Sequence, residues 1–170
     1  MRAIVNRALA WCICAAMLGP ASLTTAAPCG QSSATEDNNR QIVTEAFDRW
    51  AAGGTSFFND LLAENVVWRI KGSGTGAGEF DGRETFLERA VRPLAARLST
   101  PVRPTAVNVL ADGDHVIVQW EGSGVARDGR DYANSYVWIL RMQGGRAAEV
   151  TAFLDLAQYE DVLRRIPAPR

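Results

Sequence analysis

The chain is predicted to be an α+β protein in which N-terminal helices lie on one face of a strongly curved, mostly antiparallel sheet. Three observations predict it. Apolar residues recur at helical spacing in the first half and alternate in the second. The turns Asp112-Gly113, Asp128-Gly129 and Gly144-Gly145 then divide the second half into four strands. Finally, Tyr132 to Met142 is apolar on both of its alternating faces, which asks for cover on both sides, by helices, a second layer or a partner subunit.

Taken in order, the elements follow from local signals. Gln31 to Asn39 is polar and reads as a disordered or linker segment. Ile42, Val43, Ala46, Phe47 and Trp50 form one apolar helical stripe, which Gly53-Gly54 stops. Thr55 or Ser56 can cap a short second helix through Phe57, Phe58, Leu61 and Leu62. Glu64-Asn65 reads as a turn into a strand, Val66 to Ile70, with Val66, Trp68 and Ile70 on one face. Lys71 to Gly78 is glycine-rich, but it lacks the Gly-Lys-Ser/Thr ending of a phosphate-binding loop and the strand–turn–helix setting of a dinucleotide fingerprint. It reads as a mobile loop at the lip of a pocket. Asp81-Gly82 opens a helix that keeps its period from Phe86 to Leu98, and Pro93 should interrupt it near Arg92. The strands Val102 to Leu110, His115 to Val125, Tyr132 to Met142 and Ala147 to Leu154 follow. Leu156 to Ile166 closes the chain as a helix, with Asp155-Leu156-Ala157-Gln158 in the form of a capping box.

A length of 170 residues supports one domain and an additional segment. That segment is N-terminal. Arg2 and Arg7 precede an apolar run, Ala8 to Leu18, that is short for a membrane span. Small residues then lead through Ala26-Ala27, which is the layout of a secretory signal peptide. Residues 1–27 are therefore read as the signal, 28–37 as a linker and 38–167 as the domain. The mature protein is expected to be exported, periplasmic or secreted, with no stable membrane insertion. Losing Arg2 and Arg7 from 18 basic residues against 19 acidic ones leaves it mildly acidic. No basic block appears, so no nucleic-acid partner is expected. Cys12 and Cys14 leave with the signal, and Cys29 then has no internal cysteine to pair with. His115 is the one histidine, so no metal-ligand cluster and no cofactor are expected.

The candidate site grows from the strand Tyr132 to Met142. Tyr132, Asn134, Tyr136 and Trp138 share one face, where polar aromatics beside an amide suit a pocket wall. Asn134, if buried, must find a partner: either a neighbouring side chain or a ligand. Asp155 ends the last strand, and it is either the cap of the closing helix or an acid/base raised in pKa by desolvation. Glu149 lies too far along the strand to pair with Asp155 and reads as a surface partner of an arginine.

Several motifs in this order resemble the SnoaL-like branch of the nuclear transport factor 2-like superfamily. They are Glu64-Asn65-Val66-Val67-Trp68, Phe80-Asp81-Gly82-Arg83, Asp112-Gly113-Asp114-His115-Val116, Tyr132-Ala133-Asn134-Ser135-Tyr136-Val137-Trp138, and Arg141 to Arg146 leading to Phe153-Leu154-Asp155. The resemblance covers about residues 38 to 166. It implies a cone-shaped α+β barrel with a deep apolar cavity, and a homodimer through the outer sheet face. The superfamily includes ketosteroid isomerase, polyketide cyclases, limonene epoxide hydrolase and non-enzymatic binders, so fold does not decide function. The isomerase pattern is not met: Ile70 or Lys71 stands where its base belongs, and Phe47 stands where a donor tyrosine belongs. The Arg-x-Asp pair of the hydrolase is also absent. The expectation is a small hydrophobic molecule bound in an apolar cavity. Trp68, Trp120, Tyr132, Trp138 and Phe153 would line it, with Asn134, Tyr136 and Asp155 supplying polar contacts. The alternatives are an isomerase or cyclase acting on a carbonyl compound with Asp155 as acid/base, and a module that associates through its sheet.

Overall fold

A computed structural model describes residues 29–168, with side chains described from residue 33. The expected signal peptide, including its cleavage site, lies outside the described residues. Two helices come first among the described residues, α1 (Cys29–Ala51) and α2 (Phe57–Leu61). The strands β1 (Leu62–Ile70) and β2 (Gly78–Asp81) follow. A helical stretch is made of α3 (Arg83–Phe86), a π-helical turn (Leu87–Val91) and α4 (Arg92–Ala95). Four long strands come next: β3 (Leu98–Asp112), β4 (His115–Ala126), β5 (Asp131–Gln143) and β6 (Arg146–Leu154). Helix α5 (Leu156–Arg165) ends the fold.

The six strands make one unclosed sheet in the order β2-β1-β6-β5-β4-β3. Every pairing is antiparallel except β1 with β6, which is parallel. Burial alternates residue by residue along β4 and β5, as strands with one core face require. The inner face carries Val116, Val118, Trp120, Tyr136, Trp138 and Leu140, and α1 lies on it through Val43, Ala46, Phe47 and Trp50. Edge strand β3 tolerates Pro101 and Pro104 because an edge needs fewer ladder donors.

Three details differ from the sequence expectation. The stretch read as a linker belongs to α1, whose first turns are polar because they lie beyond the apolar stripe that touches the sheet. Glu64-Asn65 is a register break inside β1 rather than a turn before it. Strand β2 carries too short an alternation to announce itself, and it pairs Trp68 with Phe80. Pro93 acts as expected but by rewinding: it has no amide hydrogen to give, and the turn just before it is π-helical. The stop at Gly53-Gly54 is as read, with Gly53 at φ 103° and its amide donating to the Trp50 carbonyl at 3.1 Å.

Candidate functional site: an apolar cavity closed by a tyrosine pair

Between the concave sheet face and the helices lies a cavity of about 240 Å³. Its floor is Trp68, Ile70, Trp120, Tyr132, Tyr136, Trp138 and Ala152 from the sheet. Trp50 and Phe58 come from the first two helices, and Phe86, Ala90, Val91, Leu94 and Ala95 from the interrupted helix. Leu98, Pro101, Val102 and Arg103 of β3, Leu154 of β6 and Tyr159 of α5 complete the wall. The sheet supplies aromatics because cross-strand pairs place them side by side. Trp120 faces Tyr136 in register, and their rings stack at 3.9 Å with 8° between planes. Trp68 and Phe86 stack at 4.0 Å. Trp138 meets Trp120 and Trp68 edge-on at 4.9 and 5.0 Å. Each such pair contributes about 0.5–1.5 kcal/mol beyond burial, so the wall is stiff.

The polar part of the wall is a relay of three side chains. Asn134 Nδ2 donates to the Tyr132 hydroxyl at 3.0 Å, and the Tyr132 and Tyr136 hydroxyls lie 2.9 Å apart. Either hydroxyl can be the donor between them, so one phenol proton is shared within the pair and the other is left over. Burial raises the pKa of both phenols, so both stay protonated. Tyr159, also raised by burial, donates to the Ala90 carbonyl in the π turn at 3.1 Å and is already used. The indole Nε1 groups of Trp68 and Trp120 are buried with no hydrogen-bond acceptor.

Five of the eight expected site residues line the cavity: Trp68, Trp120, Tyr132, Tyr136 and Trp138. Three do not. Phe153 pairs in register with Val137 on the outer face and is 45% exposed. The inward residues of β6 are Ala152 and Leu154, because the ladder sets Ala152 opposite Trp138. Asn134 is buried, at 5% exposure, but outside the lining. Its amide holds the backbone of Asp155 from both sides, donating to the carbonyl and accepting from the amide, each at 2.9 Å. Asp155 is exposed, and its carboxylate accepts from the Ala157 amide at 2.9 Å as the cap of α5.

Other residues carry no chemistry in the cavity. His115 is exposed and contacts Asp114. Glu149 bridges Arg141 and Arg69 on the outer face, and those arginines hold its carboxyl below the ordinary range. The glycine-rich loop is no lip of the cavity: it lies against α5, where Gly76 and Thr75 both donate to Glu160. Among the described residues no group of three His, Cys, Asp or Glu side chains is placed to hold a metal ion. Arg103 and Tyr159 were missed from sequence. The bulges that turn Arg103 inward and the closing angle of α5 are not written in any local pattern.

The family profile of the SnoaL-like domain matches residues 43–150. No curated protein matches the chain. Among solved structures, the chain is similar to Bal32a from a soil-derived mobile gene cassette, with TM-score 0.63, 20% identity, 76% of this chain covered and 99% of that one. It is similar to a phenazine biosynthesis-related protein from Pseudomonas aeruginosa, with TM-score 0.60, 19% identity and coverage of 83% and 94%. It is also similar to an NTF2-like protein from Burkholderia xenovorans LB400, with TM-score 0.57, 18% identity and coverage of 75% and 97%. At these identities the likeness is one of fold.

Proposed function

The chain belongs to the SnoaL-like domain family, and from that premise we propose that it binds a small hydrophobic ring compound carrying a hydrogen-bond acceptor, without turnover. One observation carries the reading: an aromatic cavity whose wall includes the neutral phenol pair Tyr132–Tyr136, with one hydroxyl proton not spent between them. The volume of about 240 Å³ exceeds the roughly 150 Å³ that admits benzene and falls below the roughly 300–1,000 Å³ of drug-sized sites. One or two rings fit that range. Turnover would require a base, and among the described residues the lining holds no carboxylate and no imidazole. Asp155, the base of the alternative reading, is engaged in capping α5.

All four tryptophans of the described chain, Trp50, Trp68, Trp120 and Trp138, line the cavity. Ligand entry should therefore quench intrinsic fluorescence. Titration with 2-acetylnaphthalene is expected to quench saturably, and naphthalene to bind more weakly. Tyr136→Phe should remove the preference for the ketone, a change of about tenfold for one buried hydrogen bond. Quenching that never saturates, for either compound, would refute the reading.

The apolar leader at the N-terminus supports export of the mature domain. A homodimer through the outer sheet face is part of the same proposal, supported by the exposed Leu110, Ile117 and Phe153 on that face.

A further inference from the structure

We infer that Arg103 is an anion anchor at the cavity, so that the ligand is a ring compound bearing a carboxylate. The inference rests on the proposed binding function and narrows it to a substrate class.

Arg103 is the one charged side chain in the wall, among the described residues. Its place there has a local cause. Strand β3 shifts register between Thr100 and Arg103 and again between Pro104 and Ala106. Such bulges break the strict alternation of a strand, and the consecutive residues Val102 and Arg103 both line the cavity. The guanidinium is then held by backbone carbonyls. Its Nη1 donates to the Gly54 carbonyl at 3.0 Å and its Nη2 to the Gly53 carbonyl at 3.2 Å, in the turn that ends α1. These bonds use two of five donors and fix the plane of the group.

The charge itself is uncompensated. Arg69, Arg141 and Arg165 each pair with carboxylates. Arg103, like Arg97 and Arg146, bonds neutral carbonyls and no carboxylate, but of these three it alone stands in the cavity wall. A fixed planar fork with donors to spare, at the edge of an apolar cavity, matches a carboxylate. Trp50, from the helix that Arg103 ties down, offers the ring of such a ligand a flat neighbour.

The test compares 2-naphthoate with 2-naphthamide, which share a shape and differ in charge, by tryptophan quenching in wild type, Arg103→Gln and Arg103→Lys. Wild type is expected to bind the carboxylate about tenfold more tightly than the amide, as a charge-assisted bond allows, with the preference shrinking as salt is added. Arg103→Gln should bring the two affinities together, and Arg103→Lys should keep part of the gap. Thermal unfolding confirms that each variant is folded. If Arg103→Gln fails to fold, the wild-type preference and the lysine variant still decide. Equal wild-type affinities, or equal weakening of both ligands in Arg103→Gln, would leave Arg103 a structural tie and overturn the anchor alone. If neither compound quenches saturably, the cavity reading falls with it.

Discussion

Asn134 shows how a side chain can sit on the right face of a strand and still not face the ligand. Its amide bonds the Tyr132 hydroxyl and both backbone groups of Asp155, so it fixes the start of α5 and orients the phenol pair. Asn134→Leu strips partners from three polar groups and should cost on the order of 2–3 kcal/mol in urea unfolding. Asp155→Asn should cost about 1 kcal/mol or less, since asparagine caps nearly as well. A loss at Asp155 as large as that at Asn134 would show that the carboxylate does more than cap. The phenols make a second prediction. Burial lifts Tyr132, Tyr136 and Tyr159 above their ordinary 10.0. Above pH 10 the unfolded chain sheds protons that the folded chain keeps, so the folded state binds more protons and stability falls as pH rises. The contribution is complete below about pH 10 and drains away above it. Tyr132→Phe should flatten the alkaline limb of a stability–pH curve relative to wild type.

Strand β4 shapes the cavity by what it omits. Its inner face runs Trp120, Gly122, Gly124, Ala126, one large residue followed by three small ones. A Cβ at Gly122 would lie 2.7 Å from Trp120 Cζ3, 3.0 Å from Val102 Cγ1 and 3.1 Å from Tyr136 Cε2. Gly122→Ala should therefore displace the Trp120–Tyr136 stack, cost about 1–3 kcal/mol by overpacking and weaken 2-acetylnaphthalene binding. Unchanged affinity would mean that the stack does not define the site. Elements of this kind were readable in sequence where a period repeats: the stripe of α1, the alternation of β4 and β5, and the glycine turns between strands. The aromatic wall followed from parity along β5, since Tyr132, Tyr136 and Trp138 share the inner face. Parity failed on β6. No period marks where that strand enters the sheet, so Phe153 was assigned inward although the ladder with β5 turns it out. Arg103 escaped for the opposite reason, because bulges in β3 break the period that would have located it.

Seen from outside, the molecule carries an apolar band bordered by ions. Leu110, Ile117 and Ile139 stand in one cross-strand row, and Val137 and Phe153 in the next. His115, Arg141 and Glu149 form the charged row beside them, with Glu149 also bonded to Arg69. An apolar centre with a polar rim is the anatomy of an interface. Ile117→Glu combined with Phe153→Glu should convert a dimer to a monomer by light scattering; a wild type that is already monomeric at high concentration removes the proposal. The parallel contact at the middle of the sheet has a different consequence. Strand β6 lies between β1 and β5, so the placement of the first two strands depends on the last one: β1 and β2 have no ladder to join until residues 146–154 arrive. Such distant pairing makes nucleation slow. A nascent chain lacking its final segment holds two unconnected ribbons, and amides of β1 should gain protection from hydrogen exchange only once β6 has docked.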